Sequence, residues 1–466
     1  MDMVERLGGA EHITAGILAE FEGLSRRPHG SWNEEAESAY LAGRLRELGL
    51  APVADEIFNL MADVPATPGF EHAQKVIVQG HMDMVCAVAP SSRFDPKRDR
   101  VSAMVENGVL RTDGRSSLGA DNNLGNAAVL WLLARGNISH GPLRLIFTVA
   151  EEVGLAGAKE VSPAWLEGAR YLINTDGFHL GRAVVSSAGG RREYYRRSLD
   201  TAFTRGARAY RVTLSGFPGG HSGEDIDKDR PNPLRLLAGK LLELADGWEL
   251  AEFSGGTGLN VIPAWASAVV VLPEGMAPQE GWVPETALPE RVWSEACKRD
   301  TLELITGLYN GVYAWHKDFP GIVSASGNVG LAEVKEGVVE VSTFLRCTRF
   351  ADEETLAAQN LTLAGRTGFG QTVARFPSWQ GDASNPLALL MAEVYHAQTG
   401  REMEITAVHV GLEPSFFQEK APDLIMVSTG PDIIDAHSIH ERAPLASLPP
   451  YAALLTGTLE RLASET

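Results

Sequence analysis

The chain has 466 residues, 44% of them hydrophobic and 22% charged, with a formal net charge of −19. That composition is ordinary for a globular protein and long enough for two or three domains with a sizeable core. So acidic a chain is a poor partner for nucleic acid or for an anionic membrane surface. No apolar run is long enough for a transmembrane helix, and the N-terminus lacks the cationic-then-apolar pattern of a signal peptide. The cysteines, Cys86, Cys297 and Cys347, are far apart and too few for a thiolate zinc site. A reducing compartment, the cytoplasm, is expected.

The first elements expected are helices over Ile13–Leu24 and Asn33–Leu48, the second stopping at Gly49. Buried-type strands follow at Lys75–Gln79, Leu143–Ala150 and Tyr171–Asn174, with an apolar helix over Asn123–Ala134 between the first two. Continuously apolar strands alternating with helices predict a mostly parallel sheet covered on both faces. The pattern changes after Asp176. Strands are expected at Ala209–Ser215, Trp265–Leu272, Ile322–Val334, Val338–Cys347 and Gln371–Phe376, with helices at Asn232–Ala245 and Glu353–Gly365. Pro273–Pro289 reads as a loop. From about Asn385 the first pattern returns: helix Pro386–Thr399, strands Glu402–His409 and Asp423–Ser428, and helix Ala446–Ala463. The expected fold class is therefore α/β with an inserted α+β domain. The outer domain comprises residues 1–186 and 383–466, and the insert residues 187–382.

Metal-type side chains stand at the ends of the buried strands. They are His81 and Asp83 in GHMDMV, Asp121 in GADNN, the pair Glu151 and Glu152, Asp176 in NTD, and His437 in GPDIIDAHS. The carboxyl ends of strands in an open α/β sheet face one crevice, so these groups are expected to converge. Singly, each has an ordinary alternative: Asp121 could cap the helix after it, and the two glutamates could be a solvated strand end. Together, two imidazoles and several carboxylates without a thiolate suit two zinc ions, with cobalt or manganese as substitutes. Asp83, two residues after His81 on an extended segment, points the same way and can orient the imidazole.

At these residues the chain resembles the aminoacylase and carboxypeptidase group of dinuclear zinc peptidases, and within it most closely the cytosolic aminoacyl-histidine (Xaa-His) dipeptidases. The likeness runs through GHMDMVC (80–86), GRSSLGADNNLG (114–125), FTVAEEVGLAGA (147–158), LINTD (172–176), GGHSGEDIDKDRPNP (219–233), GLNVIPAWASAVV (258–270) and GPDIIDAHS (430–438). The resemblance implies hydrolysis of dipeptides, Xaa-His among them, by a metal-bridged hydroxide. His81 and Asp176 would hold one zinc, Glu152 and His437 the other, and Asp121 would bridge them. Glu151 would be the general base and Asp83 would orient His81. The insert would be a lid that binds substrate. His221 would stabilise the oxyanion and Arg346 would clamp the substrate carboxylate, with Asn260, Asn328 and Gly411 as further contacts.

The chain departs from the family pattern at Gly177-Phe178-His179 after Asp176, at Cys347-Thr348 after Arg346, and at Pro414-Ser415 after Glu413. None removes a metal ligand, so they bear on substrate preference rather than on hydrolysis. Two other readings stand beside the dipeptidase. One is an amidohydrolase of the same family acting on N-acyl amino acids or another small amide. The other is a non-catalytic ligand-binding relative. The expected partner is a small peptide, with no nucleic acid or membrane, and the chain is expected to be a monomer or a homodimer.

Overall fold

The computed structural model describes residues 2–465. The chain forms two compact units. The first comprises Met1–Ser186, Trp379–Ala407 and Leu412–Thr466, and the second Ser187–Ser378 and Val408–Gly411. Trp379–Asp382 clusters with the first unit, although the sequence expectation placed it in the insert, and the segment Val408–Gly411 differs from the expectation that kept 383–466 together. It joins the second unit because Ala188 N–H donates to the Val408 carbonyl, at 3.2 Å, and Ser326 Oγ bonds His409 Nε2, at 2.7 Å. No helix among the described residues is long and apolar enough to cross a membrane.

An eight-stranded sheet carries the first unit. Its spatial order is Val53–Ala54, Leu60–Val64, Leu143–Thr148, Lys75–His81, Ala169–Asn174, Ile425–Ser428, Arg182–Ser187 and Glu404–Val408. Lys75–His81 pairs in parallel with both Leu143–Thr148 and Ala169–Asn174, and Ile425–Ser428 pairs in parallel with Ala169–Asn174. All six residues of Leu143–Thr148 are buried, as a strand covered on both faces requires. The helix Ala120–Arg135 is buried from Ala120 to Leu132. It lies close against the end of the third parallel strand because Gly125 carries no side chain: a Cβ there would stand 2.7 Å from the Thr175 carbonyl oxygen.

The second unit is built on an antiparallel sheet, in the order Val283–Pro284, Arg208–Leu214, Ala266–Leu272, Glu249–Gly256, Val323–Lys335, Val338–Cys347, Gly189–Ser198 and Gly370–Phe376. Gly311–Trp315 also pairs with Val323–Lys335. Helices Pro233–Leu242, Glu295–Gly307 and Phe350–Arg366 share a core with this sheet, in which Leu234, Leu237, Leu241, Leu302, Ile305 and Leu363 meet Leu250, Phe253, Val329 and Val341. One feature differs from the sequence expectation, and one strand was not among those expected. The stretch read as a loop, Pro273–Pro289, contributes a two-residue strand, Val283–Pro284, paired with Tyr210 and Arg211. The Gly- and Arg-rich stretch after Ala188 is a ten-residue strand inside the sheet.

Candidate metal centre and substrate groups

The ends of the parallel strands bring the acidic and imidazole groups of the first unit together. His81, the last residue of its strand, places Nε2 3.0 Å from Asp121 Oδ1 and 3.6 Å from Asp176 Oδ1. The other oxygen of Asp121 lies 2.9 Å from His437 Nε2, which is also 3.0 Å from Glu152 Oε2. Asp121 is thus common to two triplets, His81–Asp121–Asp176 and Asp121–Glu152–His437. A third contains His81, Glu151 and Glu152, and within each triplet one ligand atom per residue lies within 4.8 Å of the others.

Backbone contacts explain how these side chains are held. Ala150 adopts a left-handed conformation, φ 48°, which turns the chain sharply at the end of its strand. Buried carboxylates take the N–H groups of that turn. Glu34 accepts from Ala150 N at 2.8 Å, and Asp83 accepts from Glu151 N at 2.9 Å and Glu152 N at 3.2 Å. Ser31 Oγ donates to Asp83 at 2.7 Å. Asp83 reaches His81 chiefly through its main chain: its carbonyl accepts from Nδ1 at 3.0 Å, while the carboxylate stands 3.4 Å away. Either contact places a proton on Nδ1 and leaves the Nε2 lone pair facing Asp121 and Asp176.

The electrostatics of this cluster call for cations. Burial, together with the charge of Asp121, pushes Asp176 up to about 8. Burial and Asp121 likewise push Glu152 up to about 7. Burial and the neighbouring Glu152 hold Glu151 well above the usual carboxylate range. Burial alone would lower His437, yet hydrogen bonds to Asp121 and Glu152 bring it to about 11. So many buried carboxylates with only two imidazoles among them lack positive charge. Glu152 Oε1 is buried with no hydrogen-bond partner among the described residues. An oxygen- and imidazole-rich set with an orphaned carboxylate oxygen fits hard or borderline divalent ions.

The second unit gathers the opposite chemistry. Arg346 is 4% exposed, and no carboxylate lies within ion-pair distance of it among the described residues. Its guanidinium lies 4.3 Å from the centre of the Phe344 ring. It donates weakly to Ser222 Oγ at 3.4 Å and lies 3.5 Å from His221 Nε2. Burial and the nearby Arg192 lower its pKa to about 10, as expected of a cation without a counter-charge. Gly223 N–H donates to His221 Nδ1 at 3.3 Å. The neighbouring strand is tied in as well: His221 pairs with Val261, and Ser222 N–H donates to the Asn260 carbonyl at 2.8 Å. Asn328 donates its amide to the carbonyls of Leu259 and Val261, each at 2.9 Å. Gly411 lies in the short segment that clusters with this unit.

Residues 77–461 match the model of the peptidase family M20/M25/M40. The chain belongs to that family. It is a peptide-bond hydrolase with a catalytic α/β fold. The cytosol non-specific dipeptidase of Escherichia coli (strain K12) is 31% identical over 465 residues, covering 93% of this chain and 95% of that protein. The crystal structure of an aminoacylhistidine dipeptidase from Vibrio alginolyticus superposes with a TM-score of 0.82 at 28% identity, covering 96% of each chain. A dinuclear metal binding peptidase of the M20 family from Bacillus subtilis, 13% identical over 98% of this chain and all of that one, shares the fold with a TM-score of 0.51.

Several residues of this M20 chain escaped the sequence reading. Glu441 is buried and accepts from the N–H groups of Leu118, Gly119, Ala120 and Asp121, at 2.8, 3.0, 2.8 and 3.3 Å. It thereby fastens the start of the helix that carries Asp121. Glu413, fully buried, accepts from Gln79 at 2.5 Å, and burial pushes it up to about 6. His409 bonds Ser326 behind Arg346, and burial lowers it to about 3, so the imidazole is neutral beside the guanidinium. Gly177, one of the departures from the family pattern, has a local reason: a Cβ there would stand 2.4 Å from the Thr429 carbonyl carbon and 2.5 Å from Gly430 N. The segments that lead from Asp176 and toward His437 touch there backbone to backbone. Phe178 then packs edge-on to the His437 ring at 6.4 Å.

Proposed function

We propose that this chain hydrolyses dipeptides, Xaa-His among them, with two divalent ions, zinc first and cobalt or manganese as substitutes. The observation that carries this reading is Asp121, whose two carboxylate oxygens face different imidazoles, His81 and His437. His81 and Asp176 are assigned to one ion, Glu152 and His437 to the other, and Asp121 to both. Such ions supply Lewis acidity toward a carbonyl oxygen and make water more acidic.

The remaining work falls to this chain's own groups. Glu151 accepts a proton from the attacking water at its carboxylate and returns it to the departing amine. Asp83 fixes the tautomer of His81 and, through two backbone N–H groups, the position of Glu151 and Glu152. The outer segments, 1–186 and 383–466, carry this chemistry. Residues 187–382 serve as the lid that binds substrate. There Arg346 takes the free carboxylate of the dipeptide, and His221 Nε2–H donates to the carbonyl oxygen as it gains negative charge. Asn260 and Gly411 line the substrate, and Asn328 serves it by holding the Leu259–Val261 segment. All three cysteines are free, which suits the reducing cytoplasm as the place of action.

The test is hydrolysis of a dipeptide panel, Xaa-His included, by metal-stripped protein with and without added zinc, alongside Glu151→Gln. Zinc-dependent cleavage that is lost in the variant is the expected result. Cleavage of N-acyl amino acids but of no dipeptide would overturn the substrate assignment. Full activity in the stripped protein would overturn the metal assignment.

A further inference from the structure

The sheet of the second unit sets another arginine beside Arg346. In the antiparallel register Arg192 stands opposite Phe344, and Gly190 opposite Arg346. Opposite residues lie on one face of a sheet, and so do residues two apart on one strand. Arg192, Phe344 and Arg346 therefore share a face. Glu193 and Leu345 point to the other face, where Asn360 of helix Phe350–Arg366 bonds Glu193 at 2.9 Å and Leu356 packs with Leu345. The guanidinium carbon of Arg192 lies 5.5 Å from the centre of the Phe344 ring, and that of Arg346 lies 4.3 Å from the same centre. Gly190 leaves room for an apolar floor beside the two cations: a Cβ there would stand 2.3 Å from the Phe376 ring and 2.7 Å from the Phe344 ring.

The carboxylates near this face are engaged elsewhere or stand apart. Glu340, on the same face, is met by Arg196 at 2.5 Å and by Ser342 Oγ at 3.0 Å. Glu193 and Glu353, on the helix side, are met by Arg191 at 2.7 and 3.8 Å. Glu224 is exposed and acts on Arg346 from beyond ion-pair distance. No carboxylate lies within ion-pair distance of Arg192 among the described residues. Arg192 is half-buried and keeps access to solvent. After burial, it is the largest influence lowering the pKa of Arg346, so the two cations act on each other without a shared counter-charge. Such a pair suits a ligand with two negative charges. We propose that Arg192 is a specificity-determining residue that takes the side-chain carboxylate of an acidic C-terminal residue, so that Xaa-Glu and Xaa-Asp dipeptides are favoured over their uncharged isosteres. This rests on the reading of Arg346 as the clamp for the terminal carboxylate. One acidic residue offers both carboxylates from a single backbone unit, and its methylene groups suit the Phe344 ring that both arginines border.

Two measurements test this. On the zinc-loaded full chain, kcat/KM is compared for Ala-Glu and its uncharged isostere Ala-Gln. The expected ratio favours Ala-Glu at least about tenfold, chiefly through KM, and falls to about one in Arg192→Gln. Arg192→Lys, which keeps the charge, should retain part of the preference. Melting temperatures report whether either variant disturbs folding. Calorimetric titration of the metal-stripped full chain with L-glutamate and L-glutamine repeats the comparison without turnover. Glutamate should bind at least about tenfold tighter, and Arg192→Gln should remove the difference. A ratio near one in the unmodified chain, or a ratio unchanged in Arg192→Gln, would overturn the proposal and leave Arg192 as a cation packed on Phe344. So would the absence of saturable glutamate binding in a chain that cleaves neither peptide. If no dipeptide is cleaved, the dipeptidase reading fails by itself, and the titration still decides the role of Arg192.

Discussion

The two units solve the same problem with opposite signs. In the first, buried carboxylates outnumber imidazoles, and burial drives Asp176 and Glu152 toward protonation. In the second, a buried guanidinium, Arg346, has a neutral histidine and aromatic Phe344 for neighbours, and burial drives it toward deprotonation. Each shift marks a buried charge without a counter-charge, and its sign agrees with the ligands proposed above, cations for the first cluster and a carboxylate for the second. A buried ion whose partner lies within the chain behaves otherwise. Glu193, fully buried, is met by Arg191 at 2.7 Å, Tyr195 at 2.6 Å and Asn360 at 2.9 Å, and it reads as structural.

Breaking the cation side has the largest expected effect. Asp121→Ala removes the carboxylate common to both triplets. Activity should fall at least ~10³-fold, several kcal/mol of charge stabilisation being lost. Elemental analysis should find fewer than two metal ions per chain. Retention of two ions and near-normal turnover would dissolve the contrast between the units.

Breaking the anion side should cost less. Arg346→Ala should raise KM for free dipeptides on the order of 10–100-fold, one charge-assisted contact being worth about 1.5–3 kcal/mol. Dipeptide amides, which lack the terminal charge, should be affected far less. An equal loss on both would mean that Arg346 shapes the unit rather than binding the carboxylate.

The smallest effect sharpens the comparison by means of a control. Glu37 is buried, its oxygens lack hydrogen bonds among the described residues, and Arg27 stands 3.6 Å away. Burial raises its pKa to about 8, with Arg27 opposing. A carboxyl raised in the folded state contributes most below its ordinary pKa, and that stability is lost as pH rises from about 4.5 to about 8. Glu37→Gln should therefore stabilise the protein on the order of 1 kcal/mol at pH 8.5 and scarcely at all at pH 4.5. Melting curves at the two pH values check this. A gain that is the same at both would rule out titration as its source.

Sequence patterning exposed the first unit better than the second. Continuous apolar runs such as Leu143–Thr148 admit few readings, and the metal-type residues stand where those runs end. The strand Gly189–Ser198 hid because it carries four arginines and turns Glu193 and Tyr195, rather than aliphatic residues, into the interior. Glu413 and Glu441 were illegible for another reason. Their partners, Gln79 and the 118–121 backbone, lie more than 300 residues away in the chain. No local spacing records such a bond. Asp83 was singled out for its carboxylate, whereas its carbonyl makes the closer contact with His81.

The grip of Glu441 on the Leu118–Asp121 backbone has a consequence for synthesis. Asp121 emerges from the ribosome long before His437 and Glu441 do. Until that late segment arrives, the helix start is unfastened and one triplet lacks its imidazole. On the assignments proposed above, a chain cut short before residue 437 therefore lacks both a ligand of that triplet and the carboxylate that fastens the helix carrying Asp121.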